Sequence, residues 1–419
     1  MTTREYDVVL YGAGGFTGRQ TVAYFSKHAP SSLRWAIAGP HRDKLEAVRV
    51  QAGGPARSTD ILVADSRQQA TVDAVVSRTR IVLNTAGPFA LYGTPVVDAC
   101  VRFGTHYVDI TGEIPWVREI VTRYHAHAAA AGTRIITCCG FDSVPSDLGA
   151  LLMARHIQQA FGVPCVEVKA YFQLYGGFNG GTMASMLNML TSNTTVQLDD
   201  PFLIDPVTSH GPQQAERSRD LTTPRHDADA GTCIGPFFMA PTNTRVVRRS
   251  AALYADWQEP YGPEFVYQEA LKYDPPFART KAWVVTIGLG LFYASLKQPL
   301  TRRLVVPLLP KPGTGPSLQM MNNGWFRCDL LAFATDGRRL RGVIQHAGDP
   351  GNRATVKFVC EAALALALNA DRLPGGSGRG GVLTPATGLG QVLADRLRAA
   401  GVTIDIGQPT PNGAIKEVA

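Results

Sequence analysis

Gly12, Gly14, Gly15 and Gly18 crowd the end of the stretch "DVVLYGAGGFTG", residues 7–18, directly behind the apolar run Val8, Val9 and Leu10. Glycine belongs where φ must be positive or where another group must touch the backbone. The "RQTVAYFSKHA" that follows reads as an amphipathic helix, so a strand, a glycine turn and a helix stand in series. A helix N-terminus offers free N–H groups and a partial positive charge. The chemistry this order serves is the holding of a pyrophosphate. With Phe16 and Thr17 between its glycines, Gly12-x-x-Gly15-x-x-Gly18 is a variant of the dinucleotide fingerprint. The competing reading is a tight turn with no ligand.

Discrimination between dinucleotides falls at the end of the second strand, placed over Leu33 to Gly39. An acidic residue there suits the ribose 2′-OH of NAD and a basic one the 2′-phosphate of NADP. The chain continues Gly39-Pro40-His41-Arg42-Asp43-Lys44. Arg42, with His41 or Lys44, favours NADP(H), while Asp43 speaks against it, and all four also suit a solvated helix start.

These turns need strands behind them. "DILVAD", ending at Asp65, reads as a third strand and "RIVLNTAGPF" as a fourth that closes on Ala86, Gly87 and Pro88. "HYVDITGE" and "TRIITCCGFDSVPSD" supply two more. Strands and helices alternate over residues 5–150, the pattern of a doubly wound parallel sheet. From about Leu151 the alternation breaks. The domains expected are 1–150 for the dinucleotide, 151–345 as an inserted α+β unit, and 346–419 as helices returning to the first. Residues 199–249 read as loops and extended segments.

Composition sets the outer bounds. The 419 residues are 45% hydrophobic and 18% charged, ordinary for globular domains, and the net charge is +7. The cations are dispersed, apart from short clusters such as "RVVRR" (245–249), which suits an anionic cofactor, a carrier protein or a lipid surface and not a nucleic-acid stripe. Seven cysteines show no C-x-x-C and no histidine at ligand spacing, so no metal site is expected and the thiols read as reduced. With no signal-peptide pattern a cytoplasmic protein is expected, with membrane association left open. "AWVVTIGLGLFYASL", 282–296, is too short to span a bilayer. It is either a buried core helix or, with the cations that follow it, an interfacial or acyl-contacting element over 282–310.

Several strings from one end of the chain to the other, "GAGGFTG", "NTAGPFALYGTPVVDAC", "YVDITGE", "CGFDSVPSD", "GGT", "KPGTGPS" and "GDPGNRAT", together resemble the saccharopine dehydrogenase-like oxidoreductases, and among them the mycobacterial trans-acting enoyl reductases. The resemblance implies a Rossmann domain with an inserted α+β substrate domain and NADP(H) as cofactor. It further implies saturation of a carbon–carbon double bond on a polyketide or fatty-acyl chain, presented by a synthase or acyl-carrier protein. A homodimer is compatible with it. Pro40 replaces the arginine usual after the second strand, which leaves cofactor preference to Arg42. Asn352 replaces the usual aromatic after Asp-Pro-Gly, with a consequence expected for the substrate channel.

Enoyl reduction needs a hydride, a donor to the thioester carbonyl and a proton for the α-carbon. The expected catalytic residues are Tyr92, Asp142 and Ser143. The cofactor-binding set is Gly12, Gly14, Gly15, Phe16, Thr17, Gly18, Arg42, Asp65, Ala86, Gly87 and Pro88. Tyr92 could equally pack its ring, and Asp142 and Ser143 could equally cap a helix, as is expected of Ser146 and Asp147. His125 and His127 read as surface residues, and Cys138 and Cys139 as buried structural thiols. An amino-acid or imino-acid oxidoreductase on the same fold, and a non-catalytic lipid-associated protein, are the competing functions.

Overall fold

Val8 and Leu10 point to one face of the first strand and Val9 and Tyr11 to the other. An unbroken apolar run is what a strand covered on both faces requires. The computed structural model describes residues 4–206 and 210–410. Its first half runs β1 (Tyr6–Tyr11), α1 (Phe16–His28), β2 (Trp35–Gly39), α2 (Arg42–Ala52), β3 (Asp60–Val63), α3 (Gln69–Val76), β4 (Thr79–Asn84), α4 (Phe89–Tyr92), α5 (Thr94–Phe103), β5 (His106–Asp109), α6 (Ile114–Ala130), β6 (Arg134–Ile136) and α7 (Val144–Phe161).

The chain then builds a second sheet. It follows β7 (Cys165–Tyr175), α8 (Gly180–Thr191), α9 (Pro212–Arg217), β8 (Arg225–Asp227), β9 (Thr232–Gly235), α10 (Ala240–Asp256), β10 (Val266–Tyr273), α11 (Ala278–Lys297), α12 (Pro299–Val305), α13 (Leu318–Asn323), β11 (Trp325–Ala334) and β12 (Arg339–Ala347). It closes with α14 (Thr355–Leu368), β13 (Gly381–Leu383), α15 (Pro385–Gly388), α16 (Gly390–Ala399) and β14 (Thr403–Thr410).

The first sheet is parallel, in the order β13-β6-β5-β4-β1-β2-β3, so strand order reverses between β1 and β4. Helices cover both its faces. One core joins Val8 and Leu10 to Phe25 of α1, Phe358 of α14 and Leu148 of α7, and runs on into Phe172 and Tyr267 of the second sheet. The other joins Val9 to Val72, Val97 and Ile120. The second sheet is mixed, in the order β14-β12-β11-β7-β10-β9-β8, with β7 and β10 parallel and the other pairs antiparallel. A doubly wound sheet and a second α+β unit are both present. Residues 381–410 return to both sheets, for β13 lies beside β6 and β14 beside β12.

Three local readings are corrected. Residues 240–256 form α10, a helix of 17 residues, and not a loop. Its Arg245, Arg248 and Arg249 are buried, and their guanidinium groups donate to the carbonyls of Leu198, Asp200, Pro201, Ile204, Ser218 and Val382. The "RVVRR" cations are therefore a scaffold and not a surface charge. In α11 only Ala282 and Leu296 are buried, so the reading of 282–296 as a core helix is overturned. His125 is no free surface residue, since its Nδ1 accepts from the Val382 N–H and lies 3.2 Å from Arg249.

Candidate active site

Gly12 takes φ +81°, and a Cβ there would stand 2.7 Å from the backbone nitrogen of Ala86. The β1 turn thus lies directly against the β4 turn, at the strand-order reversal where open α/β sheets bind ligands. A Cβ on Gly18 would overlap the Gly12 carbonyl oxygen, so α1 can begin this close to β1 only with glycine there. Gly14 and Gly15 remain open to solvent in part, and α1 starts at Phe16 with no side chain capping it. The first N–H groups of a helix have no intrahelical acceptor. A backbone cradle with unclaimed donors fits a pyrophosphate, and the residues present fit the dinucleotide.

The second sheet supplies a roof. Gly315 lies so close over the Phe16 ring that a Cβ would overlap it, and Arg19 donates to the Gly313 carbonyl at 2.8 Å. Residues 311–317, the "KPGTGPS" string, therefore cross the start of α1. The Gly180 N–H at the start of α8 donates to Thr314 at 2.9 Å, tying that loop to α8.

Around the far end of the cradle, Arg42 sits in the first turn of α2 with a largely exposed side chain, 3.9 Å from Glu46. Asp65 follows β3 and accepts from the Arg67 guanidinium at 2.7 Å and the Arg67 N–H at 3.0 Å. Those bonds, with His41 nearby, hold its carboxyl down at about 2. Arg67 was not read from the sequence, although Asp-x-Arg after a strand is its signal. Asp65 raises the Arg67 guanidinium's hold on its proton, and the Tyr92 phenol, partly exposed on α4, adds a lesser contribution.

Beneath the cleft runs a buried chain. The Asn84 Nδ2 donates to the Tyr107 hydroxyl at 3.1 Å, which donates to Asp109 at 2.9 Å. Asp109 also accepts from the N–H groups of Thr111 and Cys138. Burial pushes it up to about 7 against those bonds. Glu113 accepts from the N–H of Phe89 at 2.7 Å, the N–H of Ala90 at 3.1 Å and the hydroxyl of Ser185 at 2.7 Å. It thereby fixes the turn after β4 and fastens it to α8.

Asp142 and Ser143 are neighbours with different surroundings. Ser143 is fully buried and donates to Asn243 Oδ1 at 3.2 Å, while Asn243 donates to Glu269 at 2.8 Å. The Asp142 carboxyl keeps part of its surface open beside Gly112 and the Thr242 hydroxyl, and accepts no protein hydrogen bond among the described residues. Desolvation alone pushes it up to about 7. The structure therefore gives the three expected catalytic residues different surroundings: Asp142 is partly exposed, Ser143 is buried and Tyr92 is partly exposed on α4. Ser146 and Asp147, expected as caps, lie inside the first turn of α7; Ser146 donates to Glu269, and Asp147 accepts from Ser250 and the Ala386 N–H. Asn352 lines no channel, for it is buried and bonded to Asn179, Gly177 and Asp349. Cys138 and Cys139 are buried, and burial pushes both thiols well up.

Fold and site together define a dinucleotide-binding oxidoreductase built on two sheets. Residues 8–136 match the saccharopine dehydrogenase NADP binding domain. The chain is 39% identical to a Mycobacterium tuberculosis protein provisionally named a trans-acting enoyl reductase, over 96% of this chain and 98% of that one. It is 37% identical to the trans-acting enoyl reductase of Mycobacterium leprae, over 96% and 97%. A solved saccharopine dehydrogenase from Saccharomyces cerevisiae has a similar fold, with 13% identity, a TM-score of 0.51 and coverage of 97% of this chain and 100% of that one. The protein belongs to the saccharopine dehydrogenase-like oxidoreductase family, and its first domain binds NADP(H).

Proposed function

We propose that the protein is an NADPH-dependent, trans-acting enoyl reductase that saturates a carbon–carbon double bond on a polyketide or fatty-acyl thioester carried by a synthase or carrier protein. The observation that carries this reading is Asp142, a partly exposed carboxyl after β6 that accepts no hydrogen bond among the described residues and that desolvation pushes up to about 7. A carboxylic acid kept neutral near physiological pH is suited to deliver a proton. The relatives named as trans-acting enoyl reductases support the same reaction class.

When bound, NADPH would supply the hydride for the β-carbon. Asp142 gives its proton to the α-carbon and is left as a carboxylate, so the double bond gains two hydrogens and the site recovers its proton from water. Gly12, Gly15 and Gly18 shape the turn that would hold the pyrophosphate, and Arg42 and Arg67 carry the guanidinium groups that would hold the 2′-phosphate. Glu113 holds the β4 turn, Ala86 to Pro88, against α8 and so keeps the cleft walls in register.

The test is a titration with NADPH and with NADH by nicotinamide fluorescence, followed by a long-chain 2-enoyl thioester. Tighter binding of NADPH and loss of the reduced-nicotinamide signal on adding the thioester are expected. Binding with no turnover of free or carrier-bound enoyl thioester would sink the proposal.

A further inference from the structure

Between Pro275 and Cys328 the chain contains no aspartate or glutamate and seven basic residues, namely Arg279, Lys281, Lys297, Arg302, Arg303, Lys311 and Arg327. The structure places α11 and α12 in this segment, and it exposes their apolar side chains. Val284, Ile287 and Leu291 recur at helical spacing along one face of α11, with Trp283 beside them, all exposed. Leu300, Leu304 and Leu308, spaced four apart along α12 and the turn after it, are 78%, 74% and 83% exposed. Among the described residues Arg279, Lys297, Arg302, Arg303 and Lys311 have no acidic partner. No helix among the described residues is long and apolar enough to cross a membrane.

We infer that α11 and α12 form a docking surface for an anionic lipid bilayer, with the two leucine- and isoleucine-rich stripes inserted at the headgroup boundary and the arginines and lysines on acidic headgroups. Leucines this exposed project from the surface. A bilayer receives projecting apolar side chains without a matching groove, and an apolar stripe beside unpaired cations is the pattern of an interfacial helix. Tryptophan favours that depth. A second copy of the chain would set the same unpaired cations against one another, so charge disfavours self-association through this face. The surface adjoins α8, whose Ser185 reaches the buried Glu113. The inference stands without the reductase reading, because it concerns partition and not turnover.

The full-length protein is sedimented with vesicles of phosphatidylcholine alone and of phosphatidylcholine and phosphatidylglycerol in equal parts. Binding to the anionic vesicles, weakened by salt and accompanied by a blue shift of tryptophan emission, is expected. The double variant R302Q/R303Q should lose roughly thirtyfold in partition, from about a factor of five for each cation removed. L300D/L304D should lose about a hundredfold or more. Both keep NADPH affinity and thermal midpoint, since neither pair is buried. Failure to sediment with anionic vesicles overturns the inference, as does sedimentation that the two double variants leave unchanged. A dimer or carrier-protein complex that L300D/L304D dissolves, in place of vesicle binding, also overturns it.

Discussion

Glu113 is fully enclosed and accepts three hydrogen bonds, two from the consecutive N–H groups that open α4 and one from Ser185 of α8. Replacing it by alanine leaves the buried Phe89 N–H without an acceptor and returns the part-buried Ala90 N–H to water. A buried orphan costs about 1–3 kcal/mol and the lost Ser185 bond about 1 kcal/mol, so E113A is expected to lower stability by about 3 kcal/mol. E113Q keeps an oxygen for Phe89 and Ser185 but turns an amide N–H toward the Ala90 N–H, a loss of about 2 kcal/mol. The assay is urea unfolding of the full chain followed by near-ultraviolet circular dichroism, to which Trp116 contributes because its ring lies 5.7 Å from that of Phe89. S185A alone should cost about 1 kcal/mol and should add almost nothing in the E113A background, since both remove the same bond. A loss below about 1 kcal/mol for E113A, or full additivity with S185A, would refute the argument that this carboxylate ties the β4 turn to α8.

Gly18→Ala should abolish measurable NADPH binding while leaving the second sheet folded, because its Cβ overlaps the Gly12 carbonyl oxygen and displaces the start of α1; fluorescence titration and circular dichroism separate the two effects. Arg42→Ala should weaken NADPH by about tenfold and leave NADH nearly unchanged, as expected for one exposed guanidinium on a 2′-phosphate. Turnover should fall as pH rises through about 7, where Asp142 loses its proton, and Asp142→Asn should flatten that limb with a loss of about a hundredfold or more in kcat. The same raised value means that the folded state holds this proton more tightly than the unfolded chain. The stability linked to it is full below about 4 and is lost as pH rises through about 7. All seven cysteines are buried, so iodoacetamide should label none of them at neutral pH until urea unfolds the chain, and mass spectrometry gives the count.

The first sheet was legible because its signals are local. A strand buried on both faces is an apolar run, and the glycine turn after Leu10 marks where the ligand lies. α10 was missed for a physical reason: it is buried around most of its circumference, so Arg245, Arg248 and Arg249 point inward to carbonyls and the helix shows no polar face. α11 invites the opposite error, since its apolar sequence lies at the surface and nothing local distinguishes that from a core helix. Ser143 and Asp142 are adjacent in sequence and similar in chemistry. Only a contact 100 residues away, from Asn243, fixes Ser143 as the bonded, buried member of the pair.

The pairing of β13 with β6 and of β14 with β12 has a consequence for synthesis on the ribosome. Both edge strands lie in the last part of the chain, after residue 380. Until they emerge, β6 and β12 each present a row of unsatisfied backbone groups, the kind of edge that recruits other chains. Neither half can complete its sheet ahead of the other, so the nascent protein behaves as one late-closing unit and not as two domains folded in turn. Release before that point leaves two open edges in one molecule, and the final thirty-odd residues that close them add little to the site while deciding whether the protein stays monodisperse.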